Sequence, residues 1–119
     1  MQSLLAIEDF KKNLENLQKA VLMVGKSLED FKADRDTAKA KVDSLTARID
    51  RLLDAQEQYA AKGETQNAAD IEAQIIKDAD ELSLAEQDLA LYEASIASNQ
   101  PKYDDLVSQI KEQQREQKA

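Results

Sequence analysis

The sequence predicts an all-α protein that folds as a long antiparallel coiled-coil helical hairpin. The composition favours an elongated helical protein over a compact one, because the 119 residues include only 4% aromatic side chains, two glycines and one proline. A compact globular domain of this length normally has more aromatic residues in its core and more glycines at its turns. The positive signal is an apolar heptad pattern that runs through almost the whole chain.

The first helical arm is predicted over about residues 3–62. Apolar residues recur there at alternating spacings of three and four, which is the spacing of a coiled-coil contact line, and only Arg35 and Gln56 interrupt it. We call these positions, and their counterparts in the second arm, the seam. In the first arm the seam is Ile7, Phe10, Leu14, Leu17, Val21, Val24, Leu28, Phe31, Arg35, Ala38, Val42, Leu45, Ile49, Leu52, Gln56 and Tyr59.

The chain has one convincing turn, at Lys62, Gly63, Glu64 and Thr65. Gly63 suits the left-handed conformation that commonly ends a helix. Thr65 suits the N-cap of a following helix, because its hydroxyl can accept a hydrogen bond from a free backbone N–H. We therefore expect the hairpin tip at residues 62–65.

The second arm is predicted over about residues 66–117, so that residues 1–119 form a single hairpin domain. The same spacing resumes after the turn and weakens toward the Gln-rich end. The seam of the second arm is Ala68, Ile71, Ile75, Asp78, Leu82, Ala85, Leu89, Tyr92, Ile96, Asn99, Tyr103, Leu106, Ile110 and Gln113.

Two helices joined by so short a turn run antiparallel, and their seam residues face each other in pairs. One register sets small residues opposite large ones in the middle of the hairpin, as close packing requires. A shift by one heptad in one direction stays an alternative, although Ala68 and Ile71 then lose their partners. The predicted register pairs Tyr59 with Ala68, Leu52 with Ile75, Leu45 with Leu82, Val42 with Ala85 and Ala38 with Leu89, and its flanking charge pairs are Lys39–Glu86, Lys32–Glu93, Lys41–Asp88 and Arg48–Glu81.

Polar residues at the seam are interpreted as structural. Asp78 faces Ile49 in this register, and Arg35 faces Tyr92, where a cation–π contact is expected. A polar group in an apolar contact line is costly, but it can specify one register among several. These positions predict no site chemistry.

Gly25 and Pro101 lie almost opposite each other in the predicted register. Both residues disfavour a straight helix, so we expect a shared kink at this level. The alternative is a true break at both sites, which would fold the hairpin into a shorter four-helix bundle. The unbroken heptad phase through both sites favours the kink.

Apolar residues outside the seam predict a partner surface on the second arm. A two-helix hairpin is thinly packed, and a second apolar stripe with helical spacing is typical of a further helix–helix contact. We expect homo-oligomerisation through it, or a protein partner. The stripe consists of Ile76, Leu84, Ala90, Leu91 and Ala94.

Charge is distributed unevenly between the two arms. Residues 1–62 carry 11 basic and 11 acidic side chains, whereas residues 63–119 carry 5 basic and 13 acidic ones, and the net charge is −8. Repulsion from phosphates disfavours nucleic acid and anionic lipid as partners of the second arm, whereas a basic protein surface is compatible with it.

The residue types present predict neither an enzyme nor a cofactor site. The chain has no Cys and no His, so thiol catalysis, imidazole acid–base chemistry and the usual zinc sites are excluded. The carboxylates are expected on a solvated rod without a pocket, so we predict no catalytic, cofactor-binding or metal-binding residues. No signal segment or apolar span is recognisable, and we expect a cytoplasmic protein.

The segments Leu45–Ile49 and Tyr59–Ala73 resemble the hairpin-tip region of the phage shock protein A family of membrane-remodelling coiled coils. The similarity extends over about residues 42–96. It implies a hairpin core that assembles with itself or with related proteins. Members of that family contact membranes through a basic amphipathic helix ahead of the hairpin. Here the first arm begins directly on the seam without such a helix, so membrane contact is disfavoured.

The sequence thus leads to one functional hypothesis and two alternatives. The first is a non-enzymatic coiled-coil structural or protein–protein interaction element that self-associates. The second is a membrane-associated remodelling protein of the phage shock type. The third is an acidic helper or inhibitor that binds a basic surface of another protein.

Overall fold

The structure is a computed structural model that describes residues 3–118, with side chains described from 7 to 116. Helix α1 spans Ser3–Ala61 and helix α2 spans Thr65–Lys118, and the described residues contain no β-strand. The predicted all-α helical hairpin is confirmed. The first helix ends one residue before the predicted turn, within the usual uncertainty of a helix boundary.

The turn between the helices is a Schellman motif with Gly63 in the left-handed conformation at φ 77°. The Gly63 N–H donates to the Ala60 carbonyl at 3.1 Å, and the Glu64 N–H donates to the Tyr59 carbonyl at 2.9 Å. These bonds use carbonyls that the end of α1 would otherwise leave without partners. The chain therefore leaves α1 in a direction set by backbone bonding at one glycine.

The expected N-cap of α2 was wrong by one residue. Thr65 is already helical, and the Glu64 carbonyl accepts the first helical hydrogen bond, from the Ala68 N–H at 3.1 Å. That bond identifies Glu64 as the N-cap. The Schellman turn explains the shift, because it finishes at Glu64 and the next residue enters the helix directly.

Both helices run without interruption through the sites where a break was considered. Gly25 lies inside α1, and Pro101 lies inside α2. A proline inside a helix costs about 3 kcal/mol, because it removes one hydrogen bond and crowds the preceding turn. The seam continues in phase on both sides, and its packing offsets that penalty. The alternative of a break into a four-helix bundle was wrong.

The residues group into two compact units. In the unit formed by Ala33–Glu93, the buried apolar side chains are Ala38, Leu45 and Ala85. The other unit joins the part of α1 up to Lys32 to the part of α2 from Ala94, and its buried apolar side chain is Leu28. Each unit thus has a narrow core along its own section of the seam.

The heptad pattern identified the contact face correctly. Every seam position from Phe10 to Gln113 is buried or half-buried, and only Ile7 is exposed, at 50%. Contacts within each unit also match the predicted register. Arg48 bonds to Asp78 in one unit, and Gly25 lies against the Tyr103 ring in the other. A shift by one heptad would displace such partners by about 10 Å, which is incompatible with these contacts.

Candidate interaction surface

The best-defined polar feature is a buried carboxylate on α2. Asp78 is a seam residue with no exposed surface. The Arg48 guanidinium, which extends from α1, binds this carboxylate in a bidentate manner. Its Nε donates to Oδ2 at 2.6 Å, and a terminal nitrogen donates to Oδ1. One turn earlier on α2, Gln74 Nε2 donates to Oδ1 at 2.9 Å. The charge is therefore buried with hydrogen bonds to both oxygens, as a buried carboxylate requires.

Hydrogen bonding stabilises the ionised forms of both partners. The bonds from Arg48 hold the pKa of the Asp78 carboxyl below its usual value, although burial opposes them and the bond from Gln74 assists them. The bond to Asp78 likewise raises the pKa of the Arg48 guanidinium. The two residues thus form a permanent ion pair near neutral pH, and it bridges the helices at one position.

This pair differs from the expected charge pattern. Arg48 was expected to pair with Glu81, but it bonds to Asp78, the seam residue that was expected only to face Ile49. Burial explains why Arg48 bonds to Asp78. Water cannot reach the Asp78 carboxylate, so that group needs the hydrogen bonds of the guanidinium, whereas Glu81 is only half-buried and remains partly solvated.

Two of the other expected charge pairs, Lys39–Glu86 and Lys41–Asp88, do not form within the described residues. Among residues 7–116, neither Lys39 nor Lys41 lies within 4.0 Å of an acidic group. Arg35 donates from Nε to Asp36 Oδ1 at 3.1 Å, so it forms an ion pair with its neighbour. The expected contact of Arg35 with the ring of Tyr92 stays a prediction. Exposed pairs of this kind contribute about 0–1 kcal/mol, too little to hold long side chains in one geometry.

The structure places the predicted partner stripe on the outer face of α2. Ile76 is 59% exposed, Leu84 62% and Leu91 65%, and Ala90 is also exposed. All four lie in the unit Ala33–Glu93. Ala94, the fifth predicted member, is exposed as well, but it belongs to the other unit. The stripe is therefore an apolar surface outside the seam.

A second exposed apolar feature lies on α1. Leu22 is 73% exposed and Met23 is 72% exposed, more than any residue of the stripe. An open groove of about 400 Å³ lies beside Leu22 on the seam side. Its lining combines apolar side chains with one basic and one acidic side chain. The lining residues are Val21, Leu22, Gly25, Lys26, Glu29 and Tyr103.

The close contact of Tyr103 with Gly25 shapes that groove. A Cβ added to Gly25 would lie 3.1 Å from the Tyr103 Cε2 atom, tighter than ordinary contact. Because Gly25 has no side chain, the Tyr103 ring can pack close to the backbone of α1. The sequence analysis treated it only as a weak point of the helix.

The tip residues present no chemical constellation. Lys62, Gly63, Glu64 and Thr65 are all exposed, and the Glu64 carboxylate accepts a bond from Asn67 Nδ2 at 3.3 Å. That contact joins the N-cap to the first turn of α2 and has a structural role. The tip is thus a surface turn whose carboxylate is already used locally.

Sequence reasoning missed the Arg48–Asp78 pair and the exposure of Leu22 and Met23 as a potential surface. A signal for the first was present, because an acidic seam residue with an arginine beside the opposing seam suggests a bonded pair. A signal for the second was two adjacent apolar residues outside the seam, each within one helical turn of a lysine on both sides.

Comparison with protein-family models, with curated proteins and with solved structures finds no match for the chain. The resemblance to the phage shock protein A family therefore stays a prediction. Among residues 3–118, neither helix contains an apolar stretch of the length needed to cross a bilayer.

Proposed function

We propose that this protein is a non-enzymatic coiled-coil interaction element that assembles with further copies of itself through the outer face of α2. The observation that carries the proposal is the exposure of Ile76, Leu84 and Leu91 outside a seam that already joins the two helices. Burial of a large aliphatic side chain contributes about 1.5–3 kcal/mol, which gives such a surface a reason to associate.

The spacing of these residues also supports the proposal. Leu84 and Leu91 are one heptad apart, so they lie on the same line along a helix in a coiled coil. Gln87 and Asp88 lie between them, each within one helical turn of both leucines, and both are exposed. A partner helix that covers both leucines therefore also lies beside the Asp88 carboxylate.

The test is the double substitution Leu84→Glu/Leu91→Glu, followed by light scattering. We expect helicity to persist, because both side chains lie outside the seam, and the mass of the assembly to fall toward that of one chain. The matched control is Ser44→Glu/Gln58→Glu, which adds the same charge at exposed positions of α1. An unchanged mass for the leucine variant, or an equal loss for the control, would contradict the proposal.

A second candidate is contact with a membrane surface, as the resemblance to the phage shock protein A family implies. The exposed Leu22 and Met23 favour it, since Lys19 and Lys26 flank them and basic amphipathic surfaces attract anionic lipid. The acidic excess of residues 63–119 opposes it.

The third candidate is an acidic helper that occupies a basic protein surface. It is supported by the same excess, 13 acidic against 5 basic side chains over residues 63–119. Binding of this kind weakens as salt screens the charges, whereas an apolar interface resists salt. The salt dependence of a captured partner therefore separates this candidate from assembly through the leucines.

A further inference from the structure

The region around Leu22 and Met23 combines apolar and positive groups on one face of α1. Lys19 precedes the two residues by one helical turn, and Lys26 follows them by one turn. All four side chains are exposed. No ion pair joins either lysine to another described residue. We call residues Lys19, Leu22, Met23 and Lys26 the basic patch.

The region around Leu84 on α2 has the opposite charge. Asp80 lies four residues before Leu84, and Asp88 lies four residues after it. Both carboxylates are exposed, and neither forms an ion pair with another described residue. We call Asp80, Leu84 and Asp88 the acidic patch.

The two patches match in spacing as well as in charge. At a rise of about 1.5 Å per residue, Lys19 and Lys26 are separated by about 10.5 Å along their helix, and Asp80 and Asp88 by about 12 Å. In each patch the exposed apolar side chains lie between the two charges. Two helices laid side by side can therefore bring the apolar groups together with a lysine near each aspartate.

We propose that the basic patch of one copy docks on the acidic patch of a second copy. This inference rests on the proposed function and specifies which surface meets the outer face of α2. Pairing of two α2 faces is disfavoured, because Asp80 and Asp88 of one copy would meet the same carboxylates of the other. A second copy supplies the required chemistry, an apolar pair between two lysines, on its own α1.

The experiment uses two charge-reversal variants of the full chain, Lys19→Glu/Lys26→Glu and Asp80→Lys/Asp88→Lys. Association is measured by sedimentation equilibrium at low ionic strength, and circular dichroism checks the helicity. Each variant alone should have an apparent dissociation constant at least about tenfold above that of the wild type, because like charges then meet at the contact. The control, Lys11→Glu/Lys12→Glu, makes the same charge change outside the patch and should associate like the wild type.

An equimolar mixture of the two variants provides the decisive measurement. Each variant keeps one unaltered patch, so the mixture should recover association that neither variant has alone. Failure of the mixture to associate would overturn the inference. Wild-type-like association of Lys19→Glu/Lys26→Glu, together with a monomeric Leu84→Glu/Leu91→Glu, would overturn it and leave the proposed function intact.

Two further outcomes contradict the inference. A wild type that stays monomeric at all concentrations would overturn both this inference and self-assembly. If Lys19→Glu/Lys26→Glu keeps its self-association but loses binding to vesicles of anionic lipid, the basic patch serves a membrane surface and not a second copy.

Discussion

At the scale of single residues, Asp78 and Arg48 show how a two-helix protein can contain a buried charge. A carboxylate at a seam position would destabilise the hairpin if nothing bonded to it. Here a guanidinium fork and the amide of Gln74 bond to both of its oxygens. Only one register brings Arg48 to this carboxylate. The pair therefore disfavours shifted registers of the two helices that heptad packing alone would permit.

The substitution Asp78→Asn tests this role. We expect it to lower the melting temperature by at least about 5 °C, because it breaks a buried ion pair. The same substitution in the exposed Arg35–Asp36 pair, Asp36→Asn, is the control and should change the melting temperature by less than about 2 °C. Equal effects of the two substitutions in thermal unfolding would contradict the special role of Asp78.

The pH dependence of the same variant has a defined sign. Since folding lowers the pKa of Asp78, its ionised form contributes stability above the unfolded-state pKa of about 3.9. That contribution is lost as the pH falls through the lower, folded-state pKa. The stability gap between wild type and Asp78→Asn should therefore narrow on acidification, as measured by denaturant unfolding at a series of pH values. A constant gap would contradict this.

At the scale of elements, the helices show where local and global preferences disagree. Pro101 disfavours helix locally, yet α2 continues through it because the seam packs on both sides. At Gly63 the local and global preferences agree, since the left-handed glycine conformation and the Schellman hydrogen bonds both end α1. Helix ends in this protein therefore depend on backbone conformation, whereas helix continuity depends on packing.

Substitution of Gly63 tests the first half of that statement. Gly63→Ala should destabilise the hairpin by about 1–2 kcal/mol, because a side chain disfavours positive φ. No atom lies within 4 Å of the added Cβ, so the loss comes from the backbone alone. Gly63→Asn should lose less, since Asn tolerates this conformation better. Denaturant unfolding measures both, and Ser44→Ala is a helical control. Wild-type stability of Gly63→Ala would refute the explanation.

At the scale of the whole molecule, the distribution of exposed groups separates the candidate functions. Large aliphatic side chains are exposed on both helices, while the excess of acid lies in residues 63–119. Assembly of copies would use both features, because a basic apolar patch and an acidic apolar patch occur on one chain. Membrane binding would use the basic patch alone.

Sedimentation with liposomes at low salt separates these possibilities. We expect the wild type to remain in the supernatant with vesicles of anionic lipid, because the acidic excess repels their surface. The control is the wild type with vesicles of neutral lipid, where any binding depends on apolar contact alone. Salt-sensitive pelleting with the anionic vesicles would favour the membrane-associated alternative.

The helical class, the seam, the register and the position of the turn could all be predicted from the sequence. They follow from residue spacing and from one glycine, and both act locally along the chain. Continuity through Pro101 was also favoured by the unbroken heptad phase. The N-cap at Glu64 and the choice of Asp78 over Glu81 by Arg48 could not be predicted. Each of these depends on competition between groups that only the folded chain brings together, where burial changes how strongly a charge or a backbone group needs a partner.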